Sequence, residues 1–156
     1  MIEITIPGKG EVCLKHLVLD VNGTLAIDGQ LIDGVIKRIA AIRQKLNVYL
    51  LTANTHGNIG RIEDYLNLKA NLLANGNEAE QKALFVESLG KENVAVIGQG
   101  ANDALMLKTA CIGICVLSEE GTSRDALDAC DLFLPNINTA LDLFEYPLRL
   151  IASLRK

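Results

Sequence analysis

From His16 onward, short apolar runs alternate with stretches of helical periodicity, and no other feature of this chain restricts its fold as much. The apolar runs fall at residues 17–20, 48–52, 70–73, 94–98, 112–117 and 132–134, each short enough to be a strand buried on both faces. Between them the pattern predicts helices over 33–46, with Asp33 as cap, and over 59–66, 78–89, 103–109 and 123–129. A last helix is expected from near Asn138. Pro147 falls inside its pattern and should break it, because proline lacks the amide hydrogen and clashes with the preceding turn. Strand and helix in strict alternation define βαβ units, so the fold class is α/β: three layers around a mainly parallel, Rossmann-like sheet. The first fifteen residues differ. Two extended runs, 2–6 and 11–14, flank Pro7-Gly8-Lys9-Gly10 and read as a hairpin on the edge of that sheet.

The 156 residues fit one domain, 1–156, and 49% hydrophobic content with no Trp suits an aliphatic core. A net charge of −4, with Lys and Arg scattered, argues against nucleic acid or an anionic membrane surface as partner. No apolar run approaches the ~18 residues needed to span a bilayer, and residues 1–10 do not read as a signal peptide, which points to a cytoplasmic protein. Cys13, Cys111, Cys115 and Cys130 lack paired metal-ligand spacing and are expected to be reduced thiols. Cys111 and Cys115, four apart, are expected on one face of their strand.

In an open parallel sheet, ligands bind beyond the carboxyl ends of the strands. Asp20 ends the first core strand and opens Asp20-Val21-Asn22-Gly23-Thr24, a carboxylate followed by a turn whose backbone N–H groups at Gly23 and Thr24 suit phosphate oxygens. Thr52 ends the second strand and offers a hydroxyl, with Ala53 and Asn54 beside it as backbone donors. Lys82, early in a helix, offers a point charge. Gly98-Gln99-Gly100-Ala101-Asn102-Asp103 is a glycine-rich turn that opens a helix and carries an acid. Asp28-Gly29 between apolar flanks is a two-residue hairpin signal.

In order and spacing these elements resemble the four motifs of the haloacid dehalogenase (HAD) superfamily, and most of all its small soluble members that are similar to the phosphorylation domain of P-type ATPases. The resemblance implies a phosphohydrolase or phosphotransferase working through an aspartyl phosphate. Asp20 is then the nucleophile, and Asn22, Thr52 and Lys82 its catalytic neighbours. Gly23, Thr24, Thr52, Ala53 and Lys82 hold phosphate, and Asp20, Asn22, Gln99 and Asp103 hold Mg²⁺. Two positions depart from the family pattern. Asn22 stands where phosphatases carry an Asp that acts as general acid and base, and Gln99 stands where a carboxylate usually ligates the metal. Residues 25–33 leave room for a small hairpin flap and no cap domain, so a small phosphorylated substrate and a homo-oligomer both agree with the resemblance. The alternative reading is a catalytically impaired relative that binds a phosphorylated ligand or a protein.

Overall fold

The computed structural model describes residues 1–53 and 57–156. Antiparallel strands β1 (Ile2–Ile6) and β2 (Gly10–Leu14) open the chain, followed by β3 (His16–Asp20) and a miniature hairpin of β4 (Ala26–Ile27) and β5 (Gln30–Leu31). The remaining strands are β6 (Asn47–Thr52), β7 (Ala70–Leu72), β8 (Val94–Gly98), β9 (Ile112–Val116) and β10 (Leu132–Leu134). Helices α1 (Val35–Ile42), α2 (Ile59–Leu66), α3 (Glu78–Ser88), α4 (Ala104–Thr109), α5 (Arg124–Ala129), α6 (Ile137–Glu145) and α7 (Pro147–Leu154) alternate with them. None of these helices is long and apolar enough to cross a membrane.

Six strands form one parallel sheet in the order β10-β9-β8-β3-β6-β7. The chain winds outward from β3 through β6 to β7, then returns across the sheet to β8 and winds outward the other way. The reversal lies between β3 and β8, and it opens a crevice beyond the carboxyl ends of those two strands. The strands read as continuous apolar runs because both sheet faces are covered. Leu17, Leu19, Leu50, Ile97 and Ile114 pack in a cluster with residues of α1, α2 and α6, while Val18, Leu51, Val96 and Cys115 pack with residues of α3, α4 and α5. Each such side chain, taken from water, contributes about 1.5–3 kcal/mol of transfer free energy.

Several expectations need correction. The N-terminal hairpin is a two-stranded sheet of its own and does not extend the edge of the main one. Lys15 links β2 directly to β3, and its N–H donates to the Asn93 carbonyl just before β8, so the hairpin lies at the amino ends of the strands, away from the crevice. There Ile2, Ile4, Ile6, Val12 and Leu14 join the larger core cluster. Asp33 does not cap α1; the capping position is Gly34, in the left-handed region at φ 89°. Cys111 precedes β9 and packs against the larger cluster, whereas Cys115 lies in the smaller, so the two thiols do not share a face. Among the described residues all four cysteines are free, and burial pushes the Cys115 thiol up to about 12, which makes it a small apolar filler. Pro147 breaks the last helix as expected and becomes the first residue of α7.

Candidate active site

Asp20 ends β3 and is 6% exposed; its side chain meets two donors. Lys82 Nζ approaches Oδ1 at 2.7 Å, and the Thr24 hydroxyl donates to Oδ2 at 2.8 Å. Lys82 reaches it from α3, 1% exposed despite its length, because the ammonium ends between two carboxylates: Asp103 Oδ1 lies 2.6 Å away on the other side. Asp103 Oδ2 accepts the backbone N–H groups of Gln99 and Gly100, both at 2.9 Å, and so folds the turn after β8 back onto itself. Asn102 donates to Glu78 at 2.9 Å and ties this turn to the start of the lysine-bearing helix. That Asn102–Glu78 link had no signal in the sequence, since the partners lie 24 residues apart.

Two buried carboxylates therefore share one ammonium, leaving a net charge of about −1 in a site withdrawn from water. Burial, and then the Asp103 charge, push the Asp20 carboxyl up to about 7 against the opposing pull of Lys82 and Thr24. Burial by itself would lower the Lys82 ammonium, but the Asp20 and Asp103 charges outweigh it and hold the group above its ordinary value, so it stays protonated. The cluster is short of positive charge, and a cation or a bound donor set would lower the Asp20 carboxyl.

The turn after Asp20 is tightly wound. The N–H groups of Thr24, Leu25 and Ala26 all point to the Val21 carbonyl, and the Gly23 N–H donates to the Ala26 carbonyl at 2.7 Å. The phosphate-binding roles expected of Gly23 and Thr24 thus meet backbone donors already engaged within the turn, and a Thr24 hydroxyl directed at Asp20. Gly23 has φ 79°, and a Cβ built on it would lie 1.9 Å from Gln99 Nε2, so only glycine allows this approach.

Asn22 donates through Nδ2 to Thr52 Oγ1 at 3.1 Å, which brings the ends of β3 and β6 together. Thr52 is 2% exposed and Ala53 follows it, half-buried. Asn54, also expected beside the phosphate, lies outside the described residues. Gln99 donates Nε2 to the Asn22 carbonyl at 3.3 Å. Turning its amide over, an assignment free at the level of shape, places Oε1 beside that carbonyl instead. With the amide turned over, Gln99 Oε1 and the Asn22 carbonyl would, together with Asp20, offer oxygen donors of the hard type that Mg²⁺ prefers. Asp103 is fully buried, with both oxygens engaged, and serves as the anchor of Lys82 and of the turn. The crevice therefore gathers Asp20, Asn22, Thr52, Lys82, Gln99 and Asp103 at one mouth, from β3, β6, α3 and the turn after β8. Over it the β4–β5 hairpin turns at Asp28 (φ 49°) and Gly29 (φ 77°), the two-residue turn its sequence predicts.

The fold is similar to that of solved HAD-superfamily hydrolases, one of them a structure from Legionella pneumophila described as a putative subfamily III A member, with a TM-score of 0.66 at 17% identity over 90% of this chain and 87% of its own. A 3-deoxy-D-manno-octulosonate 8-phosphate phosphatase from Moraxella catarrhalis, solved with magnesium, phosphate and KDO, superposes with a TM-score of 0.66 at 17% identity over 91% of this chain and 94% of its own. A zinc-transporting PIB-type ATPase in its E2.Pi state superposes with a TM-score of 0.57 at 24% identity, over 80% of this chain and 19% of the pump. No family model matches the sequence. The chain belongs to the same family as uncharacterized protein MJ0073 of Methanocaldococcus jannaschii, with 40% identity over 84 residues that make up 90% of that protein and 51% of this one.

Proposed function

We propose that this protein is a divalent-cation-dependent phosphohydrolase or phosphotransferase that passes a phosphoryl group through an aspartyl phosphate on Asp20. The observation that carries the reading is the buried Asp20–Lys82–Asp103 cluster at the point where the winding of the sheet reverses. In the reaction an Asp20 carboxylate oxygen attacks phosphorus, the new O–P bond forms, and the bond to the leaving group breaks with its electron pair. Lys82 favours the ionised form of Asp20 against burial and aims it, and its charge offsets that of the incoming phosphoryl oxygens. Thr52, fixed by Asn22, lines the same mouth. Mg²⁺ bound by Asp20, the Asn22 carbonyl and Gln99 would neutralise phosphate charge there.

The side chain of Asn22 sets the limit on turnover. An amide cannot give a proton to the leaving group or take one from water, and here it is bound to Thr52. Substrates whose leaving group departs as a stable anion, such as acyl phosphates, aryl phosphates and anhydrides, fit this chemistry. A cavity of about 350 Å³ beside Gly23 and Thr24, walled by Ile27, Ile32, Leu117 and Pro135, gives a small leaving group room beyond the phosphoryl position. The phosphoenzyme, once formed, should persist.

Purified protein incubated with acetyl phosphate and Mg²⁺ should yield a phosphoenzyme that survives acid and is cleaved by hydroxylamine; EDTA and Asp20→Ala should both abolish it. Absence of this species, with neither acetyl phosphate nor p-nitrophenyl phosphate consumed, overturns the proposal. In that case the reading that remains is a phosphate-ligand or protein-binding module. Replacing Asn22 with Asp restores a proton-transfer group, and the rate of phosphoenzyme breakdown should rise by about 10²-fold or more, followed by decay of the labelled species after a chase.

A further inference from the structure

Three separate segments of chain build the cavity beside Gly23 and Thr24. Ile27 lies in β4, and Ile32 follows β5, where its N–H donates to the Leu25 carbonyl at 2.9 Å. Leu117 follows β9 directly, and its N–H donates to the Leu134 carbonyl at 3.0 Å, which sets it beside Pro135, the residue after β10. Ile137, 2% exposed, lines the same space from the start of α6. The volume of about 350 Å³ lies near the lower bound, about 300 Å³, of sites that take small organic molecules.

Thr24 joins this cavity to the chemistry, because it lines the space while its hydroxyl donates to Asp20 Oδ2 at 2.8 Å. Leu117 is 56% exposed, so a group seated there would take aliphatic surface out of water. Among the described residues that line the cavity, Glu119 is the one charged side chain, and none is Lys or Arg. The Asp20–Lys82–Asp103 cluster is itself short of positive charge. An anionic group would therefore be drawn out of water here with no counter-charge to meet it. A different cavity, of about 450 Å³ between the tip of the β4–β5 hairpin and α2, does contain a cation, Arg61, but none of its lining residues hydrogen-bonds to Asp20.

We infer that the cavity is the leaving-group subsite and that it takes an uncharged, apolar acyl group, so the substrate is the acyl phosphate of an aliphatic or aromatic carboxylic acid. The inference rests on the proposed function and narrows it, setting aside anhydrides whose leaving group carries further phosphates. An Asp20 carboxylate oxygen forms the new bond to phosphorus, the bond from phosphorus to the bridging oxygen breaks, and the acid departs as its carboxylate with the electron pair. No proton is needed at that oxygen, which suits the amide of Asn22. Ile27, Ile32, Leu117 and Ile137 then set specificity through the acyl chain, and Glu119 repels acids that carry a second charge.

The test is the second-order rate of phosphoenzyme formation, in Mg²⁺, from acetyl, butyryl, benzoyl and para-carboxybenzoyl phosphate. Acetyl and butyryl phosphate share their leaving-group chemistry, so their ratio reports the cavity alone. Butyryl phosphate should react about tenfold faster than acetyl phosphate. Para-carboxybenzoyl phosphate should react at least about tenfold more slowly than benzoyl phosphate. Leu117→Lys, on the exposed wall, should reverse the order of that second pair. Leu148→Lys, on α7 and 78% exposed, makes the same change in charge outside the mouth and should leave both ratios as they are. Butyryl phosphate within twofold of acetyl phosphate, or para-carboxybenzoyl phosphate as fast as benzoyl phosphate, overturns this inference and leaves the proposed function standing. Absence of an Asp20-dependent phosphoenzyme from all four donors overturns both.

Discussion

Asp20 carries a cost that the proposed nucleophilic role would explain. Its folded-state carboxyl sits at about 7, above the ordinary 3.8, so between these values the folded protein keeps a proton that the unfolded chain has released. Stability contributed by this group is greatest below about pH 4, falls as pH rises toward 7, and is flat above. Asp20→Asn removes the ionisation while keeping the shape, and leaves Lys82 with Asp103 as a neutral pair. That variant should unfold at higher temperature than wild type at pH 8, by on the order of 1–3 kcal/mol, and the advantage should shrink toward pH 4 when followed by calorimetry. The same ionisation governs attack: phosphoenzyme formation should fall as pH drops through 7. Asp20, Lys82 and Asp103 were legible in the sequence because each belongs to a local pattern, a strand end, a helix start or a glycine-rich turn. The Asn102–Glu78 hydrogen bond that ties the turn to the lysine-bearing helix was not, since its partners lie 24 residues apart and nothing in their immediate neighbours marks them.

At the level of elements, the strands and helices of the βαβ part follow the apolar pattern closely, because two-sided burial leaves little choice of register. The N-terminal hairpin shows where that reasoning stops. Alternating burial at Ile2, Ile4 and Ile6 identifies a strand with one face inward, and it is silent about which part of the core that face meets. A tighter constraint lies between β9 and α4. A Cβ on Gly113 would fall 2.2 Å from the Leu107 carbonyl oxygen, a backbone atom that moves only if the helix does. Gly113→Ala should therefore cost about 1–3 kcal/mol by denaturant titration. Since α4 follows directly on Asp103, the same variant should lower phosphoenzyme yield even where the protein stays folded.

At the scale of the molecule, the amino and carboxyl ends of the sheet have separate duties. The hairpin seals the amino ends, where Ile6 and Leu14 are fully buried, and the crevice occupies the opposite ends. Ile6→Ala should destabilise by about 2–5 kcal/mol and lower the melting temperature, while phosphoenzyme formed at a temperature where the variant is folded stays at the wild-type level. The sheet order adds a further separation. Residues up to β7 wind one half of the sheet, and residues from α3 onward wind the other, so Asp20 belongs to the first half and Lys82, Gln99 and Asp103 to the second. Each half by itself holds chemically silent fragments: a carboxylate without its ammonium, or an ammonium without the group it aims. On the proposed function, reactivity would appear only when the crossover from β7 to β8 has closed, and phosphoryl uptake would then be an internal certificate that both halves have docked.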